Sequence, residues 1–148
     1  MAESTFVYVT YIRTTPEKLW SALTDMEFIK RWWFGVRCES QWTAGSQWKL
    51  VYPDGSLTDG GTILEAEPRR RVAIGWQHEH NPELKAEGES RCTMELSPIQ
   101  SAVKLSITHT IDREPSKLIA ALSNAWPMAI SNLKSLLENG SVALDAHP

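Results

Sequence analysis

The sequence has little cysteine and no long apolar run. Its two cysteines, Cys38 and Cys92, are too few and too far apart in 148 residues for a disulfide framework or a closely spaced metal pair. No run of 18 apolar residues and no secretory signal pattern is found. We therefore expect two free thiols in a reducing cytoplasm and no membrane-spanning segment.

Basic charge is also scarce. Fifteen lysines and arginines face 18 carboxylates, which gives a net charge of −3 and an isoelectric point near 5.8. The only basic cluster, Arg69–Arg71, follows a proline and precedes a strand-like segment, a context typical of a solvated turn rather than a phosphate site. The sequence thus predicts no nucleic-acid partner.

The common signatures of cofactor and metal chemistry are missing as well. The chain has no P-loop, dinucleotide fingerprint, hydrolase nucleophile elbow or zinc motif. His78-Glu79-His80 lies at a strand end without the helical spacing of a zinc protease. We therefore predict no cofactor and no metal site, and we regard an enzyme as less favoured than a binding protein.

A long apolar stripe near the carboxyl end is the strongest positive signal. Over residues 115–139 most steps between large apolar side chains are three or four, the spacing of one helix face. Pro127 interrupts this pattern, so either one kinked helix or two successive helices would fit. The stripe keeps its phase across the proline, which favours the single helix. The residues of the stripe are Leu118, Ile119, Leu122, Trp126, Ile130, Leu133, Leu136 and Leu137.

The upstream segments predict a β-strand, two short helices and then about six more strands. Helix-start signals follow the first strand at Thr14–Glu17 and again at Thr24–Glu27. Several later strands alternate apolar and polar residues, as in an antiparallel sheet with one solvent-exposed face. A curled sheet around the long helix, an α+β arrangement, buries both apolar surfaces. The predicted strands are residues 4–13, 36–42, 47–52, 57–66, 72–78, 90–97 and 102–111, with a loop over 79–89 and a bulge or bend at Gly60-Gly61.

The length fits one domain over residues 1–148, with a core of about 4–140 and a frayed tail over 141–148.

Several short motifs resemble those of a known family when they are taken together. They are Thr15–Asp25, Trp32-Trp33, Pro53-Asp54-Gly55, Gly61, Leu64-Glu65, Pro68, Trp76, Thr108-His109, Trp126-Pro127 and Asn132–Gly140. The chain resembles the START-like (SRPBCC) helix-grip superfamily, and within it the branch related to the activator of heat-shock-protein-90 ATPase. The one departure is Ala125, where the resemblance leads us to expect glycine before Trp-Pro.

The resemblance implies a helix-grip fold of six to seven strands, with a cavity between the sheet and the long helix. It implies no single chemistry, because this superfamily includes lipid carriers, hormone receptors, cyclases and co-chaperones. A chaperone partner is implied by the resemblance alone. A homodimer is left open.

The alternation of side chains between the two faces of a strand gives candidate residues for the cavity. If the strands after residue 71 pair in sequence, His78, Ser90 or Cys92, and His109 point inward at one sheet edge. They could bond the backbone or water, orient a ligand, or act as proton donors and acceptors. No catalytic residue is assigned, although His78 and His109 are the candidates. The sequence does not predict which face of the sheet Asp59 and Glu65 occupy, because the bulge or bend at Gly60-Gly61 would change it. The predicted ligand-binding residues are Trp48, Tyr52, Trp76, His78, Met94, Leu105, Ile107, His109, Trp126 and Ile130.

Three functions follow as hypotheses. The first is a protein that binds a hydrophobic or amphipathic small molecule in the cavity. The second is a cyclase, aromatase or hydrolase-like enzyme that uses the same cavity. The third is a protein-binding module such as a co-chaperone.

Overall fold

A computed structural model describes residues 3–145 and shows an α+β fold in which seven strands accompany four helices. The strands are β1 (Ser4–Ile12), β2 (Arg37–Ser40), β3 (Gln47–Val51), β4 (Leu57–Glu67), β5 (Arg71–His78), β6 (Ser90–Ile99) and β7 (Ala102–Ile111). The helices are α1 (Pro16–Thr24), α2 (Met26–Trp32), α3 (Pro82–Lys85) and α4 (Lys117–Asn139).

The strands form one antiparallel sheet in the order β1-β7-β6-β5-β4-β3-β2. On β7 every second residue is buried, from Val103 to Ile111, and the residues between them are half-buried. The buried side of the curved sheet packs on α4, and α1 and α2 close one end. The predicted helix-grip fold is confirmed.

Local signals place the two short helices as predicted. The Thr15 hydroxyl accepts a hydrogen bond from the Lys18 backbone N–H at 3.2 Å and caps α1. The Asp25 carboxylate accepts from the Phe28 N–H at 3.0 Å and caps α2. Side-chain caps of this kind satisfy N–H groups that the first helical turn leaves unpaired.

The long helix α4 is continuous through Pro127, so the single-helix interpretation is correct. It begins two residues later than predicted, because Ser116 forms the amino-terminal cap. Gly140 ends it with a left-handed φ of 86°, a conformation that glycine adopts without a steric penalty. Ile130 and Leu133, both fully buried, hold the helix against the sheet.

The irregularities of β4 differ from the predicted bend at Gly60-Gly61. The register shifts so that Thr58 has no partner on β3 and Leu64 has none on β5. Gly61 pairs regularly, and its lack of a side chain allows the backbones of β4 and β5 to approach closely. A Cβ atom at Gly61 would lie 1.7 Å from the Gly75 carbonyl oxygen. Two bulges therefore flank the glycine pair.

Two other segments differ in detail from prediction. The expected strand over residues 36–42 is shorter, and the expected loop over 79–89 contains the one-turn helix α3. After α4, the Asn132 side chain bonds both the N–H and the carbonyl of Leu144 at 2.7 and 2.9 Å. Fraying of the tail stays a prediction, and residues 146–148 lie outside the described residues. Within residues 3–145, no helix combines the length and apolar character needed to cross a membrane.

Candidate ligand-binding site

A cavity of about 440 Å³ lies between the amino-terminal half of α4 and the neighbouring ends of β3, β4 and β5. Its lining is mainly apolar, with a few polar groups from the sheet. The lining residues are Trp33, Phe34, Val36, Leu50, Tyr52, Thr58, Asp59, Trp76, His78, Leu84, Leu118, Ala121, Leu122 and Ala125. This composition is that of a small-molecule pocket.

Small side chains on α4 explain why the space lies at this end. Ala121 and Ala125 are four residues apart and face the cavity, where a larger residue would fill it. Directly after Ala125, Trp126 is buried in the core, as are Ile130 and Leu133 on the following turns. The helix therefore lines the cavity with the small residues Ala121 and Ala125 and packs into the core from Trp126 onward.

A cluster of tryptophan rings extends from the cavity into the core, with Trp33 and Trp76 in the lining and Trp48 outside it. The register places Gly61 of β4 between Trp48 of β3 and Trp76 of β5. Because Gly61 has no side chain, the two indoles meet above it, with ring centroids 4.3 Å apart. Trp33 adds a third ring, 6.4 Å from Trp76.

The Thr58 bulge turns Asp59 toward the cavity. Leu50 and His78 are its cross-strand partners, and cross-strand partners share a face of a sheet. Asp59 is only 5 % exposed. Its Oδ2 accepts hydrogen bonds from Trp76 Nε1 at 2.6 Å and from His78 Nδ1 at 3.0 Å, and its Oδ1 accepts one from the Thr58 hydroxyl.

The hydrogen bonds of His78 fix its tautomer. The backbone N–H of Asn81 donates to His78 Nε2 at 3.0 Å, so this nitrogen carries a lone pair and the proton lies on Nδ1. His78 is therefore neutral and donates to Asp59. Among residues 3–145, no lysine or arginine forms an ion pair with Asp59. The carboxylate charge is bonded by neutral groups and has no cationic partner there.

His109 lies deeper in the fold than His78. Cys92 is its partner on β6, which places it in the row of Ile74, four residues along β5 from His78. Along the strand direction this offset is roughly 13 Å at about 3.3 Å per residue, and β7 lies two strands from β5. The register therefore keeps the two histidines apart, although the alternation of side chains predicted that they meet at one sheet edge. Ser90 does contact His109, with 2.7 Å between Oγ and Nε2.

Burial sets the titration of His109. The side chain is fully buried, and desolvation lowers its pKa from 6.5 to about 4, against a smaller opposing effect of the Asp59 charge. The imidazole is thus neutral at pH 7. Its Nδ1 atom is buried without a hydrogen-bond partner among the described residues.

The cysteines are equally unsuited to chemistry. Burial raises the pKa of the Cys38 thiol to about 12 and raises that of Cys92 further, so both stay protonated. Thiolates, not thiols, are nucleophiles and metal ligands. In the described part of the chain, no three His, Cys, Asp or Glu side chains converge as a metal site would require.

The predicted ligand-binding residues divide into three groups. Tyr52, Trp76 and His78 line the cavity. Trp48, Met94 and Trp126 instead border, with Trp76, a second void of only about 10 Å³ beneath it. The remaining four are completely buried in the core, namely Leu105, Ile107, His109 and Ile130.

Sequence reasoning missed several lining residues. Phe34 carried no assignment, whereas Trp33 and Ala125 were named only in connection with the family resemblance. The pair Ala121 and Ala125 carried a readable signal, since small residues four apart beside the apolar stripe of a helix indicate space. Asp59 carried none, because its face depends on the bulge. Glu65, the other ambiguous carboxylate, is exposed and bonds Arg71 and Arg91.

Comparison with known proteins agrees with this architecture. The model of the family described as "Activator of Hsp90 ATPase homolog 1-like protein" matches residues 13–138. No curated protein matches the chain.

Solved structures share the fold. The Aha1 dimer from Colwellia psychrerythraea is 24 % identical, with a TM-score of 0.74 over 93 % of this chain and 98 % of that one. An HSP90 activator from Plasmodium falciparum is 20 % identical, with a TM-score of 0.74 over 90 % and 95 %. DynU16, a protein in the dynemicin biosynthetic locus, is 19 % identical, with a TM-score of 0.80 over 97 % of this chain and 51 % of that one.

Proposed function

The chain belongs to the Activator of Hsp90 ATPase homolog 1-like family, and we propose that it binds a hydrophobic or amphipathic small molecule in the cavity beside α4. One observation carries this proposal: the cavity of about 440 Å³ is lined mainly by apolar and aromatic side chains, with Asp59 and His78 at one end. Pockets that hold small organic ligands have volumes of roughly 300–1,000 Å³ and a similar lining. A protein in the dynemicin biosynthetic locus shares the fold, which is consistent with an organic ligand.

Tryptophan fluorescence tests the proposal directly, because Trp33 and Trp76 line the cavity. A panel of lipids, flavonoids and aromatic polyketides should include ligands that change the emission saturably. Ala125→Leu places a larger side chain in the cavity and should weaken binding at least about tenfold. Ala120→Leu is the matched control, since Ala120 is an exposed residue of the same helix outside the lining. A flat response across the panel would refute the proposal.

A protein-binding role is the second candidate, and an exposed apolar patch favours it. Val7, Val9 and Tyr11 alternate along the outer face of β1, the edge strand of the sheet, and are 58 %, 43 % and 49 % exposed. An apolar patch on an edge strand is a common feature of association sites. The structural likeness to an HSP90 activator and to an Aha1 dimer makes a chaperone or a second copy the partners to test.

Mixing and sedimentation experiments test this second role. The protein should stimulate the ATPase rate of an HSP90 chaperone, or sediment as a dimer. A Val7→Ser, Val9→Ser double variant should lose that property, whereas the outward-facing Thr108→Ser change on the neighbouring strand should retain it. A monomeric wild type without effect on the ATPase would eliminate this role.

We propose no catalytic role. His109 has no exposed surface and lies outside the cavity lining, and both nitrogens of His78 are occupied by hydrogen bonds within the protein. The buried, protonated thiols of Cys38 and Cys92 are consistent with the cytoplasmic location that we propose.

A further inference from the structure

We propose that the ligand of this pocket carries an ammonium group, which contacts Asp59 and the surrounding aromatic rings while an apolar portion lies along α4. The inference rests on the proposed binding function and specifies its ligand class. It distinguishes a cationic amphiphile from the fatty-acid or neutral lipid that an apolar cavity alone would accept.

The first support is the unbalanced charge at the inner end of the cavity. Asp59 is almost fully buried, and its hydrogen bonds come from a hydroxyl, an indole and a neutral imidazole. Buried charges are costly and are normally paired with an opposite charge or a metal. No lysine or arginine within residues 3–145 supplies that charge, so a cationic ligand would gain an attraction that an anionic ligand would lose.

The second support is the position of the aromatic rings. Trp33, Tyr52 and Trp76 line the same cavity as Asp59, and the Trp76 indole is itself bonded to the carboxylate. Aromatic faces attract alkylammonium groups through the ring quadrupole, and cages of such rings recognise quaternary ammonium ligands. Rings together with a carboxylate select a cation more strongly than either does alone.

The third support is the capacity and direction of the site. A carboxylate offers about four acceptor positions, and Asp59 uses two on Oδ2 and one on Oδ1. One position on Oδ1 is left for an N–H donor or for charge contact with a quaternary head. Leu118 and Leu122 of α4 are apolar residues of the same lining. A polar head at Asp59 and a tail toward α4 would thus match the polarity of the lining.

Three ligands that share an octyl chain test the inference: octyltrimethylammonium, octyl glucoside and octyl sulfate. Binding is measured by calorimetry below the micelle concentration of each, with tryptophan emission used to confirm that the protein stays folded. Wild type should bind the cation at least about tenfold more tightly than the glucoside, and the glucoside more tightly than the sulfate. In Asp59→Asn, the affinity ratio of cation to sulfate should fall at least about tenfold.

Two further variants keep the test decisive. Glu65→Gln removes an exposed carboxylate from the same strand and should leave the ratio at its wild-type value. If Asp59→Asn does not fold, Tyr52→Leu removes one ring of the proposed cage and should lower the ratio several-fold. Binding of the sulfate as tightly as the cation would overturn the ammonium inference and leave the binding function standing. Binding of none of the three would overturn both.

Discussion

His109 should make the protein sensitive to mild acid. Its pKa is about 4 in the folded chain and 6.5 in a solvent-exposed reference, because burial disfavours the imidazolium. Between these two values the unfolded chain binds more protons than the folded one, so the free energy of unfolding falls as the pH falls. Well above pH 6.5 the residue is neutral in both states and contributes no pH dependence.

The size of the effect follows from the shift. A lowering from 6.5 to about 4 corresponds to roughly 3 kcal/mol at about 1.4 kcal/mol per pKa unit. Most of this loss, about 2 kcal/mol, should already be present at pH 5. For a domain with about 5–15 kcal/mol of stability this is a large fraction.

Urea unfolding followed by tryptophan emission measures the effect between pH 7 and pH 4.5. The comparison is His109→Gln, whose amide can still bond the Ser90 hydroxyl but does not titrate. Subtracting the variant curve removes the contribution of all other titrating groups. The wild type should lose about 2 kcal/mol more than the variant between pH 7 and pH 5. Parallel curves would refute the assignment of a buried neutral imidazole at this position.

Three further changes test the fold and the edge of the cavity. Gly61→Ala should lower the free energy of unfolding in urea by about 3 kcal/mol or more, because its Cβ would overlap a β5 carbonyl oxygen. The control Gly60→Ala places its Cβ at ordinary contact distances only. Equal effects of the two changes would contradict this packing. By the same assay, Leu133→Ala should lower the free energy of unfolding by about 2–5 kcal/mol, and Leu64→Ala, at an exposed position, by less than about 1 kcal/mol. A small loss for Leu133→Ala would place Leu133 outside the core. Glu87→Gln should speed hydrogen exchange over residues 79–89 and the first turn of α4, because the Glu87 carboxylate accepts hydrogen bonds from backbone N–H groups of that turn. Unchanged exchange would show that these bonds do not hold the loop against the helix.

The pKa of Glu87 has a related consequence. Partial burial raises it, but the hydrogen bonds from Ser116, Lys117 and Leu118 outweigh burial and lower it overall. A carboxylate with a lowered pKa stabilises the folded state above its unfolded value near 4.5, and that contribution is lost as the pH falls. The attachment of this loop to α4 should therefore weaken in acid below that value.

The sequence by itself determined the elements of this protein and their order. The apolar stripe of α4, the helix-start signals within Thr14–Glu17 and Thr24–Glu27, and the alternation along β7 are local patterns. Each is read from residues within a turn or a few strand positions. They favoured a curled sheet over a long helix, because this arrangement covers both apolar faces. The continuity of α4 through Pro127 was also visible, since the stripe kept its phase.

Tertiary structure alone decided the chemistry of the site. Asp59 faces the cavity because Thr58 bulges out of register with β3, and register depends on partners far along the chain. The same register places His109 in the core and His78 at the cavity. Ala121 and Ala125 line the cavity together with residues of β3, β4 and β5, so its position depends on which side chains of the helix and the sheet come together. The spacing of apolar residues and the secondary-structure preferences of residues depend on neighbours in the sequence. The distances between side chains of the site are set only when the strands and the helix pack together.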